Sequence, residues 1–233
     1  MVIFTDSEAF ANHVRQVRNS SKQHKTRIIL VERNSSWAFR WQDTFENLLG
    51  SSRYRSLKSP PLSAEQACAK LAKYDVVARA ARDNFFKSKY YTWVDLSVFS
   101  HIHADISRGF YFSQPRDFNS RELAMTLLNA SSSLSLSPQT IFANSLEWIG
   151  GNIFSGSKSV VLSFEKQLRK AVEYFLSQEL ASGDEQFIYA MYTKKGRKSI
   201  SPKVHIQVYS PMSDGDKSYL AHLMVHEKAQ QEQ

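Results

Sequence analysis

Three short stretches carry the residue types that chemistry on an anionic or metal-bound substrate requires. In Lys89–Val98, reading KYYTWVDLSV, a strand-favouring run ends on one carboxylate, Asp95. A strand that closes on an acid sets it at the sheet rim, where ligands and metals collect in open α/β sheets. The plainer alternative is a buried strand with an Asp at its edge. In Leu146–Phe154, LEWIGGNIF, an apolar run is broken by Gly150 and Gly151. A glycine pair allows either a bulge or a close approach of backbone to ligand. Finally, Asp184-Glu185-Gln186 reads as an acidic turn opening a helix, and its acids also oppose the helix dipole favourably, which alone could explain them.

Those stretches belong to a chain of 233 residues, enough for one large domain with a real core. At 42% hydrophobic and 22% charged residues, the composition is that of a globular protein rather than a disordered one. A formal charge of +8 implies attraction to polyanions, phosphates or acidic surfaces without saying which. The one dense basic cluster, KKGRK at Lys194–Lys198, reads as a solvated loop between two elements. A single cysteine, Cys68, excludes an intrachain disulfide and a cysteine metal cage, and its place on an apolar helix face marks a small core residue. No run approaches the ~20 apolar residues that span a bilayer. Asp6 interrupts the first apolar run before a signal peptide could form, so the chain reads as soluble.

The elements that must position the three stretches follow an α/β order. Val2–Phe4 is a strand, a helix runs from Ser7–Glu8 to about Arg18, and Thr26–Val31 is a second, nearly apolar strand. A helix is expected over Trp37–Leu49, followed by a basic loop at Gly50–Pro61. Ser63-Ala-Glu-Gln66 then fits a capping box. Its helix is expected to carry Ala67, Cys68, Leu71, Ala78, Ala81 and Phe85 on one buried face, at spacings near three and four, and to lead into the strand ending at Asp95. This β-α-β-α-α-β order predicts a mixed, mostly parallel central sheet flanked by helices. Beyond it lie a short aromatic strand at Phe110–Phe112, a helical stretch at Arg121–Asn129, and strand or loop at Ser131–Ser137. A strong helix at Ser163–Leu180, a helix from Asp184 to about Tyr192 and a strand at Val204–Tyr209 complete the order. One domain is expected over residues 1–226, with a frayed polar tail at 227–233.

The run from Lys73 to Asp95 resembles the HtrL/YibB-like family of glycosyltransferases, related to the GT-A nucleotide-diphospho-sugar transferase fold. In that family a helix carrying Lys and ending in Asn-Phe leads into a strand closing with Trp-Val-Asp; Lys73, Asn84, Phe85, Trp93 and Asp95 match in order. WIGGNIFSGS looks like its glycine-rich strand, matched by Trp148, Gly150, Gly151, Phe154 and Gly156, and a long helix then leads to Asp184–Gln186. The opening VIFTD, with Arg18 downstream, resembles the family's second strand, so the resemblance implies a GT-A-like domain that is N-terminally truncated, lacking its first strand. It further implies transfer of a sugar from a nucleotide-diphosphate donor to an unknown acceptor (glycan, lipid or protein). A divalent cation, Mn²⁺ or Mg²⁺, would neutralise the departing diphosphate, with Asp95 as its contact. Asp184, or secondarily Glu185, would face the sugar or act as base toward the acceptor hydroxyl. Lys73 and Arg18 would contact the diphosphate or nucleotide, with Gly150 and Gly151 beside the donor. Two departures stand out: the Asp-x-Asp of metal-dependent GT-A enzymes is absent, with Ser97 two places after Asp95, and the first nucleotide-gripping strand is missing. A truncated chain could be degenerate or inactive.

Two competing readings come from other residues. His101, His103 and Asp105 alternate so that all three could share one strand face and converge on zinc. Their spacing is similar to the H-x-H-x-D-H motif of metallo-β-lactamase-like hydrolases, but Ile106 stands where the final His belongs. Basic charge with aromatics such as Trp41 and Tyr54 would suit a nucleic-acid-binding module, yet no nucleic-acid-binding signature is present and none is expected as a partner. Sequons at Asn19, Asn34 and Asn129 are compatible with a secretory or Golgi route should an anchor precede this chain.

Overall fold

The computed structural model of the chain describes residues 1–18, 25–51, 62–100, 110–130, 132–211 and 216–227. The fold is mixed α/β. Strand β1 (Val2–Thr5), helix α1 (Glu8–Val17) and strand β2 (Arg27–Leu30) form a small unit at the N-terminus. The two strands pair in parallel from Val2↔Arg27 to Thr5↔Leu30. Ser7 starts α1 by accepting the Phe10 amide at 3.2 Å, and Ala11 and Val14 are the buried side of the helix. The expected helix over Trp37–Leu49 divides into a 3₁₀ turn at Ala38–Trp41 and α2 (Gln42–Leu49).

Helix α3 (Ala64–Asp83) is the spine of the site. The capping box is present: Ser63 accepts from the Gln66 amide at 3.1 Å and the Gln66 side chain accepts from the Ser63 amide at 2.9 Å. Asn84 ends the helix in the left-handed conformation, at φ 46°, so Phe85 falls beyond it and is exposed, against the expectation that it joins the buried face. Strand β3 (Tyr90–Val94) follows, then β4 (Phe110–Phe112), β5 (Leu123–Leu127), α4 (Pro138–Ala143) and β6 (Ile149–Ser157). Helices α5 (Lys158–Ser177), α6 (Asp184–Tyr192) and α7 (Lys194–Ile200) come next, then β7 (Ile206–Tyr209), α8 (Tyr219–Met224) and β8 (Val225–Glu227).

The main sheet has the order β3-β6-β5-β7. It corrects the expectation of a mostly parallel sheet. Strand β6 lies between β3 and β5 and runs antiparallel to both, and only β5 and β7 are parallel. The physical reason is the glycine-rich stretch: it forms one nine-residue strand that inserts centrally, where its glycines and Ser155 fit without bulk. Two further expectations fail. Arg121–Asn129 is a strand rather than a helix, because β5 is the buried middle of the sheet, with Leu123, Ala124, Met125 and Thr126 all fully covered. KKGRK is a helix rather than a loop, started by the Thr193 hydroxyl accepting from the Gly196 amide at 3.0 Å.

Helices α3, α5 and α6 pack on one face of this sheet over an aromatic core. Tyr74 of α3 stacks on Phe154 of β6 with ring centres 4.7 Å apart, and Phe142, Phe175 and Phe187 pack edge-on and tilted around α6. Every residue of α6 is buried, including its first three, Asp184, Glu185 and Gln186. Charged groups so placed need partners, and those partners define the site. Among the described residues, no helix is long and apolar enough to cross a membrane.

Candidate functional site

One turn of α3 sets the geometry. Lys70, Lys73 and Tyr74 stand three and four residues apart, so their side chains leave the same helix face. That face meets the start of α6 and the middle of β6. Lys73 Nζ donates to the Gly151 carbonyl at 2.8 Å and lies 2.7 Å from Asp184 Oδ2. The Tyr74 hydroxyl donates to the same Oδ2 at 2.8 Å. Lys70 Nζ donates to both oxygens of Glu185, at 3.1 and 3.0 Å, and is 3.9 Å from Asp184 Oδ1, which has no hydrogen-bond partner among the described residues. Gln186 completes the turn by donating to the Ser145 and Leu146 carbonyls at 3.3 and 3.2 Å, tying α6 to the segment after α4.

The glycine pair acts through a bulge. Against β5 the register passes from Met125↔Phe154 to Thr126↔Gly150, leaving residues 151–153 to arch out of that ladder. In the arch, the Asn152 carbonyl accepts the Asp95 amide at 2.8 Å, which fixes the end of β3 beside Gly151. A side chain at Gly151 would collide with Asp184 Oδ2 and Lys73 Nζ and come within 3.2 Å of the Tyr74 hydroxyl. Glycine is therefore required at 151 by close approach. Gly150 faces the Leu128 side chain instead, away from the charged groups.

Asp95 is half-buried, and its Oδ1 accepts from Trp93 Nε1 at 3.0 Å. Burial raises its pKa and the Asp184 charge adds to that, while Lys73, the Trp93 hydrogen bond and Lys70 oppose. The carboxyl thus lies within electrostatic reach of both lysines and of Asp184. Burial is also the largest influence on Asp184 and would raise it, but Lys73, the adjacent Glu185 and Lys70 together outweigh it and hold the group below the usual carboxylate range. Glu185 goes the other way, to about 7, through burial and then the adjacent Asp184 charge. Lys70 is desolvated, which lowers its pKa, yet Glu185 and Asp184 raise it overall. Tyr74 is pushed well above the phenol range by burial and by Asp184, so it stays a donor.

The structure therefore brings together Lys73, Asp95, Gly151, Asp184 and Glu185, residues from four separate stretches of sequence. It leaves Arg18 outside: that side chain donates to the Thr26 hydroxyl at 2.5 Å within the β1–α1–β2 unit. His101, His103 and Asp105 lie outside the described residues. Among the described residues, no cluster of three or more His, Cys, Asp or Glu is arranged to hold a metal. Lys70 and Tyr74 are the members that sequence reasoning missed. The available signal was the spacing of Lys73 and Tyr74, three and four residues after Lys70, on an otherwise apolar helix face. No protein-family model matches this chain, and no curated protein matches it.

Proposed function

We propose that this chain transfers a sugar from a nucleoside-diphosphate donor to an acceptor that is a glycan, a lipid or a protein, using a GT-A-like arrangement around the end of β3. The observation that carries this reading is the meeting of three motifs: the half-buried Asp95, the arched backbone at Gly151 and the buried Asp184–Glu185 turn share one electrostatic neighbourhood with Lys70 and Lys73. Sugar transfer leaves a diphosphate whose growing negative charge needs neutralising, and preorganised cations at a protein surface suit that need.

A divalent ion fits at Asp95 on limited terms. Both Glu185 oxygens face Lys70, and Asp184 Oδ2 is held by Lys73 and Tyr74, so Asp95 is the carboxylate left to contact an ion. Mg²⁺ in particular accepts one or two carboxylates with substrate phosphates and water as its remaining donors. When bound there, such an ion would offset charge on the diphosphate. Asp184 has no exposed surface, and Glu185 is 2% exposed. These acids therefore serve as positioning residues: Asp184 fixes Lys73 and Tyr74, and Glu185 fixes Lys70. Lys70, 38% exposed, is the cation of the cluster that a diphosphate could reach.

The test is a melting screen of the full chain across nucleoside-diphosphate sugars, with and without Mn²⁺, run for wild type and Asp95→Asn. The asparagine carbonyl can keep the Trp93 hydrogen bond, so the variant removes charge with little change of shape. A uridine or guanosine diphosphate donor is expected to raise the melting temperature only with metal, and the variant to lose that rise. Equal stabilisation of both proteins would count against the role of Asp95.

A further inference from the structure

The basic motif KKGRK has no part in the site above, and its setting gives it one of its own. Helix α7 lies alongside α5. The Ser199 hydroxyl donates to the Tyr174 hydroxyl at 3.1 Å, and the Gln167 side chain accepts the Lys203 amide and, at 2.9 Å, the Val204 amide. Lys170 falls between Gln167 and Tyr174 on α5, so Lys170, Lys198 and Lys203 gather around these links. Lys195 borders a small cleft lined by Pro138, Gln139, Tyr174, Phe175, Gln178 and Leu180. All four lysines are exposed, and none has an ion-pair partner among the described residues. The nearby arginines are engaged: Arg197 donates to the Tyr192 carbonyl at 2.9 Å and lies over the Tyr192 ring, and Arg169 faces Glu165 at 3.7 Å.

We propose that this α5–α7 face docks the protein on an anionic lipid bilayer. The inference is independent of the sugar-transfer reading. Three features favour a lipid surface over a nucleic acid. Among the described residues of this face, the cations without a partner are lysines, point charges that respond to surface charge density, while Arg197 and Arg169 each turn Nε to a partner within the protein. Among the described residues, no exposed aromatic stands on this face to stack a base: Tyr174 is half-buried, and the exposed Phe85, Phe86, Tyr90 and Tyr111 lie on other elements. The cleft next to Lys195 has Pro138 and Tyr174 beside Gln139 and Gln178, a mixed apolar and polar lining that suits the headgroup region of a bilayer.

The experiment is co-sedimentation of the full chain with phosphatidylcholine vesicles, with and without about a quarter phosphatidylserine. Binding is expected to the anionic vesicles alone and to weaken as salt is raised. A lysine near an anionic membrane is worth roughly fivefold in partitioning, so K195E/K198E should lose at least tenfold. The pair K170E/K203E, on different elements, should lose a similar amount. K87E/K89E makes the same change in net charge on the loop between α3 and β3 and should bind like wild type. The proposal is overturned by equal binding to neutral vesicles, by K87E/K89E losing as much as K195E/K198E, or by a random oligonucleotide of equal charge displacing the protein from vesicles.

Discussion

Replacing Gly151 by alanine adds one methyl group at the point where the Lys73–Asp184 pair meets the β6 arch. Its Cβ would stand closer than 3.0 Å to both Asp184 Oδ2 and Lys73 Nζ, a separation real Cβ atoms essentially never show. Oδ2 is also the oxygen that accepts from Tyr74 at 2.8 Å, so it cannot retreat without weakening a second bond. Gly151 does not occupy the left-handed region, and the cost therefore arises from contact rather than backbone strain. Overpacking a core position costs ~1–3 kcal/mol, and parting a buried ion pair costs ~3–5 kcal/mol. We expect Gly151→Ala to lose about 3–5 kcal/mol by urea unfolding, which in a chain of this size lowers Tm by roughly 6–20 °C. Gly150→Ala is the internal control. Its Cβ would meet only the flexible Leu128 side chain, at 3.2 Å, and should cost less than about 1.5 kcal/mol. A Gly151→Ala protein as stable as Gly150→Ala would refute the close-approach argument and the convergence built on it.

Glu185 makes stability depend on pH. Raised to about 7, it keeps its proton in the folded protein where the unfolded chain, at 4.5, has lost it, so its contribution to stability falls as pH rises from 4.5 to about 7. Asp95 and Glu165, also raised chiefly by burial, slope the same way. Urea midpoints across that window should decline in wild type and decline less in Glu185→Gln; identical slopes would remove Glu185 from the account. Cys68 is fully covered, and burial followed by the Glu46 charge pushes its thiol up to about 11. Ellman's reagent should therefore leave the native protein unmodified and titrate the thiol fully in denaturant, whereas rapid native labelling would contradict the packing of α3.

The local signals that proved legible were those with a mechanism confined to a few residues. The capping box at Ser63–Gln66, the strand into Asp95 and the helix opened by Asp184 each depend on neighbours in sequence, and each is present. What could not be read was set by distant neighbours. Leu123–Leu127 is built of good helix formers, and only its central place between β6 and β7 makes it a strand. The direction of β6 follows from pairing with β3, across a separation of some sixty residues, for which alternation of elements carries no signal. At the site, Lys73 and Asp184 were each recognisable, but not that they would be bonded to one another and sealed from solvent. A lysine flanked on its helix by Tyr74 and Lys70 reads as amphipathic until α6 is known to cover it. Arg18 illustrates the converse: a basic residue of suitable type, held elsewhere by Thr26.

Helix α6 has no outward side, and its acids are fastened to the same α3 turn that organises the rest of the cluster. Sugar transfer, as proposed, and folding would consequently draw on shared side chains. A change at Asp184 in a living cell would register first as missing protein, because an interior charge without its counterpart favours degradation before any turnover could be assayed. Selection acting on such a protein would find this buried cluster hard to retune, and diversification would fall to the rim, at Asp95 and Lys70, where burial is partial.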